Sequence, residues 1–154
     1  FDGYYDTSDA GIIDKNGYIS VMSRTDDIIN CAGHRLSTGS IEEILTQHQD
    51  VAECAVIGFN DELKGQVPIG LIVLNTSSMN SEETIIKETI NLVREKLGPV
   101  ASYKKSIIVE NLPKTRSGKI LRSTISKILN KEDYKVPATI EDINTLELIK
   151  CLKV

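Results

Sequence analysis

The order of apolar and polar residues predicts an α+β fold: a small mixed β-sheet with flanking helices, preceded by a β-hairpin that reads as the edge of something else. Three observations carry this. The runs CAVIGF at 54–59 and VPIGLIVL at 67–74 are apolar without alternation, which suits strands covered on both faces. Segment 81–97 places Ile85, Ile86, Ile90, Val93 and Leu97 on one side of a helix. Asp14, Lys15, Asn16 and Gly17 precede the alternating run 18–22, a hairpin signal.

Taken in order, residues 1–25 read as that hairpin. Residues 28–31 form a short strand, Ala32 and Gly33 mark a turn or a close approach to the backbone, and 34–36 form the next strand. Ser40 with Glu43 fits a capping box, predicting a short helix that fades near residue 49. The two buried strands follow, joined by a loop at Asn60, Asp61, Lys64 and Gly65. Asn80 with Glu83 predicts the cap of the long helix, and Gly98 with Pro99 its end. A strand is expected at 106–109 and a flexible loop at 113–119. A final amphipathic helix carries Ile120, Leu121, Ile125, Ile128 and Leu129, and beyond Lys131 the pattern weakens into a tail.

Composition narrows the function classes. With 40% hydrophobic and 26% charged residues the chain reads as an ordinary soluble protein, and its apolar runs are far too short to cross a bilayer. Cys31, Cys54 and Cys151 form no CxxC pair and have no histidine at ligand spacing, so neither a zinc site nor a disulfide framework is signalled. The net charge of −4 argues against a general nucleic-acid binder. Segment 103–135 nevertheless holds nine Lys or Arg against three acids, a local excess that fits an anionic ligand.

Within that basic segment lies PKTRSGK, residues 113–119. It is not a nucleotide P-loop, because Pro113 stands where the first glycine is required and Ile120 where a Ser or Thr is required. What remains is a Ser-Gly segment presenting Lys119 near the start of a helix, a cation suited to a phosphate or carboxylate. From these residues alone, a solvated basic loop is an equal reading. A second constellation, SRTDDIINCAGHRLSTGSIEE at 23–43, gathers Arg24, Asp26, Asp27, Arg35, Glu42 and Glu43 around Gly33. Salt bridges across a strand pair would also explain those charges.

The motifs in order resemble the C-terminal part of a short-chain acyl-CoA synthetase, in the acetyl- and propionyl-CoA synthetase group of the adenylate-forming superfamily. The resemblance rests on YYDTSDAG with DKNGYI (4–19), SRTDDIINCAGHRLSTGSIEE (23–43), VAECAVIGFNDELKGQVP (51–68) and LPKTRSGKILR (112–122). It implies a ligase in which ATP and acetate or propionate give an acyl-adenylate and pyrophosphate, and CoA then takes the acyl group while AMP leaves. It also implies a boundary near residue 25: 1–25 would end the large adenylate-binding domain, 26–137 would be the mobile C-terminal domain, and 138–154 a tail.

By the same resemblance Lys119 is the adenylation lysine, Asp26 the hinge, and Asp9, Arg24 and Arg35 contact ATP or AMP. Ala32, Gly33, Arg35 and Arg94 would form part of the CoA site. Magnesium is expected with ATP in the parent enzyme, with no metal ligand nominated here. The remaining partners implied are the large domain of the same polypeptide and the carboxylate substrate, with no nucleic acid and no membrane, in the cytoplasm or mitochondrial matrix. The tail YKVPATIEDI suggests a propionate preference. The phosphate loop and acyl pocket of the large domain are absent from these residues, so the chain alone is expected to be inactive. The alternative is a non-catalytic, basic-surfaced module binding nucleic acid or an anionic partner.

Overall fold

The computed structural model describes residues 2–5 and 7–154, with residues 22, 23 and 26 described by backbone alone. Its first sheet is the hairpin of β1 (Asp9–Ile13) and β2 (Ile19–Arg24). The Asp14 carboxylate accepts from the N–H groups of Asn16 (2.8 Å) and Tyr18 (2.9 Å), and Gly17 takes φ +85°, the geometry that the Asn-Gly pair predicts. Ile12, Ile13, Tyr18, Ile19 and Val21 stay exposed on it.

The second sheet is built on the two apolar runs, which pair antiparallel as β5 (Val51–Asp61) and β6 (Gly65–Leu74). On the other edge of β6, β3 (Ile28–Cys31) meets its first residue through the pair Cys31 and Gly65. Further along that edge β7 (Lys105–Ile108) runs parallel, opposite residues Ile69 to Ile72. Pro68, which can donate no ladder hydrogen bond, sits between the two pairings. β4 (His34–Ser37) completes the sheet beside β3. Parallel and antiparallel pairs coexist, so the sheet is mixed as expected.

Successive residues of β5 and β6 enter two different cores. Cys54, Val56 and Ile72 pack with Ile41 and Leu45 of α1 (Thr38–Leu45) and Val93 of α2 (Glu82–Leu97). Ala55, Ile57, Ile69 and Leu71 pack with Ile125 and Leu129 of α3 (Arg122–Leu129) and with Leu146 and Ile149 of α4 (Asn144–Lys150). This is the two-faced cover that unbroken apolarity demanded.

Several local expectations are corrected. α1 starts at Thr38 rather than after Ser40, because Ser37 ends β4 in extended conformation and the helix begins at once. It ends at Leu45, before residue 49. The cap of α2 is Ser81, whose Oγ accepts from the N–H of Thr84 at 3.3 Å, while Asn80 instead donates its amide to Asp50 Oδ2 at 2.7 Å. No helix was expected beyond Lys131, yet α4 forms there and buries Leu146 and Ile149. Seven residues give too short a window for periodicity, and its stability comes from α3 and the second core.

Candidate functional site

Ala32 and Gly33 are the two-residue turn between β3 and β4, since Cys31 pairs directly with His34. Both residues take positive φ, +48° and +83°, as a type I′ turn requires. A Cβ added at Gly33 would meet nothing within 4 Å, so glycine there is required by backbone torsion, and the space above it is open. The turn is held from behind: the N–H of Ala32 donates to the Lys64 carbonyl at 2.8 Å, and Lys64 Nζ donates to Ser102 Oγ at 2.8 Å. In the sequence Lys64 reads only as part of the loop that joins the two buried strands. Its partner lies 38 residues on.

Ser102 also lines a cleft of about 340 Å³ with Arg94, Lys104, Tyr103 and the turn at Gly98 and Pro99. Two cationic side chains on one concave surface suit phosphate groups. The structure therefore brings Ala32, Gly33 and Arg94 to one end of the sheet. Arg35 follows directly on β4 and faces a second cleft of about 500 Å³, shared with Ala10, Gly11 and Ile12 of the hairpin. Asp9 and Arg24 are cross-strand partners in that hairpin. The side chain of the hinge candidate Asp26 lies outside the described residues.

Lys119 is elsewhere. The segment 113–119, expected as a flexible loop, is a tight hairpin: the N–H of Thr115 donates to the Lys119 carbonyl at 2.9 Å, and the N–H of Gly118 to the Thr115 carbonyl at 2.8 Å. Lys114 pairs with Ile120 across it, and Gly118 supplies φ +82°. Lys119 itself is exposed, with Ile120 and Leu121 between it and the start of α3.

The positions of these loops follow from β6. The Ala32–Gly33 turn leaves beside Gly65, its first residue, whereas the chain leading into 113–119 leaves beside Ile72, whose carbonyl accepts from the N–H of Val109 at 2.9 Å. Seven residues of strand separate those anchors, about 23 Å. Lys114 Nζ marks the same end by pairing with Glu53, near the start of β5, at 2.6 Å.

A second group of charges escaped sequence reading as a unit. Glu42 on α1 accepts from Arg122 Nε at 2.6 Å and Nη2 at 2.7 Å, and also from the N–H of Val56 at 2.8 Å. The hydrogen bonds to Glu42 hold the Arg122 guanidinium above its ordinary pKa, against the opposing effect of burial. Beside it, burial pushes the Cys54 thiol up to about 12, so Cys54 is a packed apolar group and not a nucleophile. Two of the nine cations in the basic segment, Lys114 and Arg122, are thus paired with acids from outside it. Among the described residues no three His, Cys, Asp or Glu side chains cluster to hold a metal ion, and no helix is long and apolar enough to cross a membrane.

Residues 40–119 match the AMP-binding enzyme C-terminal domain. Over 97% of its length the chain is 56% identical to the mitochondrial acyl-CoA synthetase short-chain family member B of Dictyostelium discoideum, of which it spans 22%. It is 54% identical, over 92% of its length, to the mitochondrial acyl-CoA synthetase short-chain family member 3 of Mus musculus, of which it spans 21%. The fold superposes on the crystal structure of a Brucella canis acyl-CoA synthetase with a TM-score of 0.65 and 30% identity, covering 85% of this chain and 24% of that one. The chain spans about a fifth of the length of the curated relatives it matches. With a matching domain model, close short-chain synthetase relatives and the same α+β fold, this chain belongs to the family of AMP-binding enzyme C-terminal domains.

Proposed function

We propose that the chain is the mobile C-terminal domain of an ATP-dependent short-chain acyl-CoA ligase acting on acetate or propionate, and that it serves the two half-reactions with opposite ends of its sheet. One observation carries this: the Lys119 hairpin and the Ala32–Gly33 turn emerge about 23 Å apart along β6, too far for both to reach one reaction centre together. A domain that must serve one site with both has to turn between steps.

In the first step a carboxylate oxygen attacks the α-phosphorus of ATP, the bond to pyrophosphate breaks, and the acyl-adenylate forms. Negative charge gathers between two anions, and the Lys119 ammonium supplies the countercharge there. Asp9 accepts from the ribose hydroxyls, and Arg24 and Arg35 contact the nucleotide. In the second step the CoA sulfur attacks the acyl carbon, AMP leaves with the bonding pair, and the thiol proton passes to solvent. The open face of the Ala32–Gly33 turn passes the pantetheine chain, and Arg94, with Lys104 on the same cleft, takes the CoA phosphates. The hinge lies at Asp26, so that 1–25 belong with the large domain, 26–137 turn, and 138–154 follow as the C-terminal segment. Magnesium is expected with ATP in the intact ligase. The mitochondrial names of the relatives favour the matrix over the cytoplasm as the compartment.

The intact ligase carrying Lys119→Ala, assayed for each half-reaction, tests this. Adenylate formation should collapse while thioester formation from preformed acyl-adenylate survives. Arg94→Ala should do the reverse, raising the KM for CoA. If both half-reactions survive Lys119→Ala, the segment is only a basic loop. A binding module would instead respond to the summed charge of Lys104, Lys105, Lys114, Arg116 and Lys119, with affinity falling steeply in salt. The chain without its large domain should make no thioester.

A further inference from the structure

The Lys119 hairpin is held from outside by a segment 20 residues further along the chain. The N–H of Arg116 donates to the Thr139 carbonyl at 2.9 Å, and the N–H of Glu141 donates to the Lys114 carbonyl at 2.9 Å, with Thr115 and Ile140 bridged between them. Residues 139–141 therefore lie as a short antiparallel strap along the first arm of the hairpin. The strap is fastened at both ends of its own course. Ile140 packs partly buried on the second core, and beyond it α4 drives Leu146 and Ile149 into α3. On the other side, α3 is tied to α1 through Arg122 and Glu42. The residues that match the domain model end at Lys119, so the strap lies beyond them.

We propose that residues 139–141 are positioning residues for adenylation: the strap fixes the hairpin that presents Lys119, and the lysine reaches its mark only while the strap is bound. This rests on the role given above to Lys119. A Ser-Gly turn has many accessible conformations when unheld, and its two backbone bonds to the strap, one on each side of Thr115, select one of them. The thioester step needs no such placement, because it uses the opposite end of the sheet. The strap therefore affects one half-reaction and not the other.

Glu141→Pro in the intact ligase removes the N–H that donates to the Lys114 carbonyl. Glu141→Ala keeps the donor and serves as control, and Ile140→Ala loosens the strap without proline, with Ile140→Val as the conservative rescue. Displacing a catalytic group by about 1 Å costs on the order of 100-fold, so Glu141→Pro and Ile140→Ala should slow adenylate formation by roughly 10- to 100-fold. Thioester formation from preformed adenylate should stay within about twofold, and Glu141→Ala and Ile140→Val should match the parent in both steps. Amide exchange at Arg116 and Thr115 should rise in the two slowed variants. If both half-reactions fall together in both variants, the strap only supports the fold and the proposal is overturned. If adenylation is unchanged in them while Lys119→Ala abolishes it, the strap proposal fails and the lysine role stands. If Lys119→Ala is itself silent, the lysine role fails and takes the strap proposal with it.

Discussion

Glu42→Ala should be among the most damaging single changes on the outer edge of the sheet. β5 is an edge strand, and its outward groups are covered by side chains from both layers: Val56 N–H by Glu42, Asn60 N–H by Asn130, and the Gly58 carbonyl by Ser126 and Asn130. The Glu42 side chain is 13% exposed and that of Arg122 26%. Truncating Glu42 removes two charge-assisted bonds, leaves the guanidinium without its counter-ion, and strips Val56 of its acceptor. Breaking a buried pair costs about 3–5 kcal/mol; partial exposure of Arg122 puts the expected loss at about 3 kcal/mol. For a chain of this size that lowers Tm by about 6–12 °C. Thermal and urea unfolding of Glu42→Ala, Arg122→Ala and the double variant should give a coupling of about 1.5–3 kcal/mol, because the second truncation has little left to break. The exposed pair of Lys150 and Glu147 supplies the control, and Glu147→Ala should leave the midpoint unchanged. If Glu42→Ala moves it no further than Glu147→Ala, the clamp between the layers is not structural.

Three further expectations follow from the same packing. Gly70→Ala should lower stability by at least about 2 kcal/mol, since its Cβ would lie 2.0 Å from Tyr103 Oη; adding Tyr103→Leu should restore part of the loss in urea midpoints, and an unchanged midpoint for Gly70→Ala alone would refute the close approach. In the native state a thiol reagent should find Cys151 quickly and Cys31 and Cys54 slowly, all three becoming equal in denaturant; rapid native labelling of Cys54 would contradict its burial. Stability should fall in alkali. Burial raises the Cys54 thiol from an ordinary 9.0 to about 12 and raises the Tyr103 phenol as well, so the unfolded chain releases these protons first. Their contribution is complete below pH 9.0 and lost as pH climbs toward about 12, and a urea midpoint that rose over that window would refute the assignment.

The polar core explains why some of this was hidden. Thr89 Oγ1, Ser106 Oγ and Tyr103 Oη form a buried chain at 3.0 and 2.7 Å beneath α2. None of these residues stands out in sequence, since Thr and Ser are read as surface positions and their burial depends on partners that a short window does not contain.

Residues within a few positions of one another determined the hairpin turn at Asn16 and Gly17, the two-faced strands, the amphipathic helix ended by Gly98, and the motifs that carry the family resemblance. Turn chemistry and hydrophobic period are local properties, so they are legible without a structure. The tertiary structure alone decided that Lys119 and the Ala32–Gly33 turn leave opposite ends of β6, that Lys64 reaches Ser102, and that Glu42 meets Arg122 across 80 residues. It also decided that residues 139–141 strap a loop expected to be free. Strand order, register and the direction of β7 place these groups together, and pairing of distant segments is fixed by the summed burial of both cores rather than by any single stretch of chain.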